Sequence, residues 1–142
     1  MKNLITKVMF IILITNLILG CDFNDDVTEP HSGLRSIDGT WELTNVKNDK
    51  VNHDYDAGDI SWDFDSKSST IIVENNNKDY DGLVSGKYTY SLYQQAISRY
   101  ITINGVEVGL IKSNANRDIL IINENKKKDE VLTSGYILTF RR

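Results

Sequence analysis

The sequence is poor in cysteine, proline and histidine. Its 142 residues include one cysteine, one proline and two histidines. A single cysteine excludes an intramolecular disulfide and any zinc site built from several cysteines. The formal charge of −4 differs from that of a typical nucleic-acid-binding domain, which is usually basic. The length allows one domain and excludes a TIM barrel, which needs about 200 residues or more.

Alanine is also scarce, and this points to the fold class. The chain contains three alanines, whereas the part after residue 20 holds 12 isoleucines, 8 valines and 8 threonines. β-Branched residues favour strands, and a shortage of strong helix formers argues against helices. We therefore expect an all-β domain.

The first 20 residues have the pattern of a secretory signal peptide. Lys2 and Lys7 precede an apolar run at 8–19, which Thr15 and Asn16 interrupt. This run is too short for a comfortable transmembrane helix, which needs about 20 apolar residues. Removing residues 1–20 would change the formal charge from −4 to −6, because both lysines are lost and no acidic residue is.

The end of this leader, Ile18-Leu19-Gly20-Cys21, resembles the lipobox of bacterial lipoproteins. The resemblance implies that Cys21 becomes the first residue and carries fatty acyl groups such as palmitate. Two or more acyl chains hold a protein firmly on a membrane, so the implied partner is the membrane itself. The alternative is a plain signal peptide followed by a chance cysteine.

Residues 21–36 are expected to form a flexible tether behind the lipidated cysteine, because they are acidic and contain few apolar side chains. An acidic run at this place resembles the surface-export signal of Bacteroidota-type lipoproteins. Asp22 also fits the inner-membrane retention rule of other Gram-negative bacteria. We expect the outer membrane, on its periplasmic or surface face, with the inner membrane and an address-free linker as alternatives.

Alternation of apolar and polar residues predicts eight strands in a domain spanning residues 37–142. In 59–65, for example, Ile60, Trp62 and Phe64 share one face. Asn104-Gly105, between two alternating runs, is a strong hairpin signal. The predicted strands are 40–46, 59–65, 70–74, 84–93, 99–103, 106–112, 118–122 and 134–141. Their short spacing favours an antiparallel barrel or sandwich.

The opening of this domain, Ile37-Asp38-Gly39-Thr40-Trp41-Glu42-Leu43, resembles the Gly-x-Trp start of the lipocalin superfamily. Residues 35–142 as a whole resemble the small lipocalin-like domains of Bacteroidota-type lipoproteins. The resemblance implies a small eight-stranded antiparallel up-and-down barrel. It also implies that Arg141 or Arg142 packs over Trp41 as a cation–π contact.

Aromatic residues on shared strand faces are the candidate ligand-binding residues. Val84, Tyr88, Tyr90 and Leu92 alternate on one strand, and Val106, Val108 and Leu110 on another. The resulting candidates for a small apolar ligand are Trp41, Trp62, Phe64, Tyr88 and Tyr90. Alternatively, these side chains fill the interior, because an eight-stranded barrel is only just wide enough for its own side chains.

Catalytic and metal-binding patterns are weak. His53 lies in a polar loop, and the acidic stretch 54–59 departs from the calcium-binding EF-hand pattern. Asp63 and Asp65 share an exposed strand face, where paired carboxylates serve solubility more often than acid–base chemistry. We therefore expect no enzyme, cofactor, metal or nucleic-acid partner. The expected function is a binding module for a small apolar ligand or an envelope partner; the alternative is a structural or interaction protein with a filled barrel.

Overall fold

A computed structural model describes residues 37–142. The expected signal peptide, the lipidation site Cys21 and the tether at 21–36 lie outside these residues. The described part consists of strands and connecting loops, and it contains no helix long and apolar enough to cross a membrane. The strands are β1 (Gly39–Lys47), β2 (Asn52–Asp54), β3 (Ile60–Asp65), β4 (Thr70–Asn75), β5 (Gly86–Gln95), β6 (Ser98–Ile103), β7 (Val106–Ser113), β8 (Ile119–Asn123) and β9 (Ile137–Arg141).

Eight of these strands close into an antiparallel barrel. Each strand from β3 to β9 pairs with its neighbour in sequence, and β1 pairs with both β3 and β9. Trp41 lies opposite Trp62 on one side of β1, and Leu43 lies opposite Phe140 on the other. The predicted fold class, a small eight-stranded up-and-down lipocalin-like barrel, is confirmed. The Asn104-Gly105 hairpin is also confirmed, and both residues have the positive φ that a tight hairpin turn requires.

The ninth strand, β2, is an addition that the sequence pattern does not predict. It pairs with the last residues of β1, with His53 opposite Val46. All three of its residues are exposed, so it has no alternation of buried and exposed side chains. The amide of Asn45 donates hydrogen bonds to Oδ1 of Asn52 and Oδ1 of Asp54 and so holds β2 in place.

The expectation that Val106, Val108 and Leu110 share one face of β7 is wrong, because the strand contains a β-bulge. The register with β6 shifts between the pairs Thr102–Glu107 and Ile101–Gly109, which leaves an extra residue on β7. Beyond the bulge Ile111 is therefore buried, and Leu110, which was expected on the inner face, is only half-buried. Val106 lies before the bulge, opposite the buried Ile103, and is two-thirds exposed because it begins the strand next to the hairpin turn. A bulge reverses the inside–outside alternation beyond it, which a strict period of two cannot show.

The barrel interior is filled by alternating side chains from every long strand. Aromatic rings form its centre: Trp62 packs against Phe140 with ring centroids 4.9 Å apart, and Phe64 meets Tyr90 edge to face at 5.3 Å. The other buried residues are aliphatic, apart from Trp41: Ile37, Leu43, Val46, Ile60, Ile71, Val73, Ile101, Ile103, Ile111, Leu120, Ile122 and Leu138. This interior is a packed core.

One end of the barrel is closed by Trp41 and Arg142. The indole of Trp41 is fully buried and donates a hydrogen bond of 2.7 Å to the carbonyl oxygen of Ile37. The guanidinium of Arg142 lies 4.1 Å from the centre of the Trp41 ring. It also donates to the carbonyl oxygens of Arg117 and Asp38. The expected arginine–tryptophan contact is thus present, and Arg142 makes it.

Candidate functional site

Four of the five aromatic residues expected to bind a ligand lie in the packed core, and the fifth packs against it. Trp41, Trp62, Phe64 and Tyr90 are all buried. Tyr88 is half-buried, and its hydroxyl donates to the carbonyl oxygen of Val84. The structure brings Trp62, Phe64 and Tyr90 into ring contact, but none of the five lines the cavity described below. In this structure they support the barrel.

A cavity of about 470 Å³ lies at the end of the barrel opposite Trp41 and Arg142. We call it the open-end cavity. Its volume falls within the range typical of small-molecule sites, about 300–1,000 Å³. The described residues that line it are Val46, Val51, His53, Tyr55, Asp79, Tyr80, Asp81, Gly82, Glu124, Tyr136 and Leu138.

Four chain segments meet at this cavity because their strands run to the same end of the barrel. β1 ends there, and the turn after it leads into β2 and Tyr55. The loop between β4 and β5 contributes 79–82, and the start of the β8–β9 connection contributes Glu124. Leu138, at the start of β9, is buried and packs into the core below. The cavity is therefore bounded below by the barrel core and at its sides by loops.

Aromatic side chains form much of the cavity wall. Tyr55 and Tyr80 meet edge to face with ring centroids 5.6 Å apart, and His53 lies 4.5 Å from Tyr55. Both tyrosines also pack against the edge of the core. The Tyr80 ring folds closely over Gly82: a Cβ atom at that position would lie 2.1 Å from Cζ of Tyr80. The absence of a side chain at Gly82 therefore leaves the space that the Tyr80 ring occupies.

The charges around the cavity are of one sign. Asp79, Asp81 and Glu124 are acidic, and no lysine or arginine occurs among the described lining residues. Burial, together with the Glu124 carboxylate, raises the pKa of Tyr80 far above its usual value. Burial and the Asp79 carboxylate likewise raise the pKa of Tyr55. Both phenols are thus neutral hydrogen-bonding groups in a negative environment.

The other polar candidates have structural roles. The carboxylate of Asp65 accepts hydrogen bonds from the hydroxyl of Ser68 and from the backbone N–H of Lys67, and these bonds lower its pKa. Asp63 accepts a hydrogen bond from Thr40. Within residues 37–142, no group of three or more histidine, cysteine, aspartate or glutamate side chains is arranged to hold a metal ion.

Sequence reasoning missed Tyr55, Tyr80 and Tyr136 as cavity residues. Tyr55 and Tyr80 lie in polar loops between aspartates, and Tyr136 was expected on the last strand. That strand begins one residue later, at Ile137. The available signal was the recurrence of tyrosine beside acidic residues in loops that lead to one end of the barrel.

Comparison of the chain with protein-family models, curated proteins and solved structures found no match.

Proposed function

We propose that this protein is a lipid-anchored, lipocalin-like binding module of the cell envelope, and that it takes a small, largely apolar ligand in its open-end cavity. The observation that carries the proposal is the contrast between the two ends of the barrel. One end is closed by Trp41 and Arg142, whereas the other opens into a cavity walled by tyrosines. Concave, mostly apolar sites with a few polar groups are typical of ligand binding.

The anchoring part of the proposal rests on the sequence of the leader. The stretch Ile18-Leu19-Gly20-Cys21 supports acylation of Cys21, and the following 15 residues would give the barrel reach from the membrane surface. We expect metabolic labelling with a palmitate analogue to mark the protein, and density-gradient fractionation to place it in the outer membrane. Cys21→Ser should abolish the label. A labelled Cys21→Ser protein, or an unlabelled wild type, would contradict the anchor.

Ligand binding can be tested through the tyrosine rings, since all seven lie within the described residues. Tyr55, Tyr80 and Tyr136 line the cavity, whereas Tyr93 and Tyr100 stack on each other elsewhere, 5.3 Å apart. The full-length chain would be labelled on tyrosine and titrated in non-ionic detergent with phenylbutyl compounds of different charge. We expect at least one of them to shift the NMR signals of the cavity tyrosines and to leave the stacked pair unchanged.

A plugged cavity provides the matched control. Val51 is partly exposed and lines the cavity, so Val51→Trp should fill it and abolish the shifts. Val106 is more exposed and does not line the cavity, so Val106→Trp should leave the shifts intact. No shift with any compound, or equal shifts in both variants, would contradict ligand binding at this site.

The second candidate function is a structural or interaction protein of the envelope without a small-molecule ligand. The observation in its favour is the packed interior, where Trp62, Phe64 and Phe140 occupy the space that larger barrels leave for cargo. If the cavity tyrosines respond to no probe, this candidate is the one supported. Cross-linking of the full-length protein in cells would then be the next measurement.

A further inference from the structure

The lining of the open-end cavity indicates which charge its ligand carries. We propose that the cavity binds an organic cation, namely an amine or ammonium group attached to an apolar body. This proposal rests on the proposed function, because it specifies the ligand class of the same site.

The first argument is the combination of aromatic rings with carboxylates. Tyr55 and Tyr80 both line the cavity, and their rings meet at an interplanar angle of 82°. A cation is attracted to an aromatic face, and nearby carboxylates strengthen that preference. Asp79, Asp81 and Glu124 supply three carboxylates among the lining residues.

The second argument is that these carboxylates are not neutralised by the described part of the chain. The carboxylate of Glu124 accepts one hydrogen bond of 3.0 Å from the backbone N–H of Tyr136. Within residues 37–142, the side chains of Asp79 and Asp81 make no hydrogen bond or ion pair. An anionic ligand would meet repulsion from these carboxylates, and the described lining offers no lysine or arginine to offset it, so the lining disfavours fatty acids.

The third argument separates an organic cation from a metal ion. A divalent metal requires several ligands that converge on one point, whereas no such group occurs in the described residues. The three carboxylates come from two different loops and line a cavity of about 470 Å³. A cavity of that volume has room for a bulky organic cation. The apolar residues Val46 and Leu138, at the core side, would hold its apolar body.

The test compares three probes that share one apolar group: phenylbutylamine, phenylbutanol and phenylbutanoate. Each is titrated into the full-length chain in non-ionic detergent, with a micelle-only blank, and the signals of Tyr55 and Tyr80 are followed. We expect the amine to bind about tenfold more tightly than the alcohol, since several weak charge contacts add to one aromatic contact. The carboxylate should not bind measurably. Higher salt should lower the affinity for the amine and leave the affinity for the alcohol unchanged.

Neutralising variants identify the charges responsible. Asp79→Asn and Asp81→Asn should each lower the affinity for the amine by about two- to fivefold, as expected for partly exposed charge pairs. Neither variant should affect the alcohol. Asp63→Asn is the control, because it makes the same charge change on the exposed face of β3, away from the lining residues.

The outcomes distinguish the two proposals. Amine and alcohol binding with equal affinity would overturn the cation proposal and leave ligand binding intact. Preference for the carboxylate would also overturn it. A response to none of the three probes would contradict ligand binding itself.

Discussion

Replacing Gly109 with alanine is the sharpest test of the structure, because the backbone at Asn123 and Glu124 passes directly over this residue. A Cβ atom on Gly109 would lie 2.3 Å from the carbonyl oxygen of Asn123 and 2.9 Å from Cα of Glu124. Ordinary contacts of a Cβ atom are 3.4–4 Å. The atoms in the way belong to the backbone, so no side-chain rotation can relieve the clash.

The expected cost follows from the displacement that relief would require. The segment at Asn123 must move away by about 1 Å, from 2.3 Å to the lower limit of ordinary contact. That movement would stretch the hydrogen bond from the Leu110 N–H to the Lys126 carbonyl oxygen, now 2.8 Å, beyond a useful length. Overpacking costs about 1–3 kcal/mol and a lost hydrogen bond about 1 kcal/mol, which together give about 3 kcal/mol. For a domain of this size the Tm would fall by roughly 12–24 °C.

Gly86→Ala is the matched control, since Gly86 also lies in a strand but its added Cβ would meet Tyr88 at an ordinary 3.6 Å. We expect its free energy of unfolding to stay within about 0.5 kcal/mol of wild type. Urea unfolding of wild type and both variants, followed by tryptophan fluorescence, gives the measurement. If Gly109→Ala loses less than about 1 kcal/mol, or no more than Gly86→Ala, the close approach and the cost assigned to it would be refuted.

Three further predictions concern the closed end, the cavity and the buried tyrosines. Arg142→Ala should lower the free energy of unfolding by about 1–3 kcal/mol, because it removes two hydrogen bonds to backbone carbonyls and the contact with Trp41. Arg142→Lys keeps the charge and should restore only part of this stability. Full restoration by lysine, measured by urea unfolding, would show that only the charge matters. Gly82→Ala should displace the Tyr80 ring and weaken probe binding severalfold, while the free energy of unfolding stays within about 1 kcal/mol of wild type. Unchanged NMR signals of Tyr80 would show that the ring position does not depend on Gly82. Burial raises the pKa of Tyr90 from 10.0 to about 12, so its contribution to stability is complete below pH 10 and is lost as the pH rises towards 12. Urea unfolding at increasing alkaline pH should show this decline, and Tyr90→Phe should make it shallower; equal slopes would argue against the assignment to Tyr90.

The barrel could be predicted from the sequence because its strands alternate strictly where they face the core. Ile60, Trp62 and Phe64 are the clearest case, and all three are buried as expected. The same period fails at β7, because a bulge between Glu107 and Gly109 adds one residue and reverses the alternation beyond it. The short strand β2 could not be predicted, because all three of its residues are exposed and show no alternation. Hydrogen bonds from the Asn45 side chain support its pairing instead.

The site was harder to predict than the fold. Large aromatic residues on strand faces predicted ligand-binding positions; four of the five, Trp41, Trp62, Phe64 and Tyr90, are buried in this narrow barrel. The cavity is made by loops, and loops have no hydrophobic period from which to assign a face. Tyr55, Tyr80 and Tyr136 become neighbours only because β1, β4, β8 and β9 bring their connections to one end.

The pairing of β1 with β9 makes the folding of this barrel strongly non-local. The hydrogen bond from Arg142 to the carbonyl oxygen of Asp38 joins residues 104 positions apart, and that from Thr44 to the carbonyl oxygen of Thr139 joins residues 95 apart. Such contacts form late, because a long loop must close before they contribute. While β9 is still being synthesised, β1 has only one of its two barrel neighbours, so the early part of the chain cannot complete its core. If the chain is exported while it is still being synthesised, its barrel can close only after the last strand has crossed.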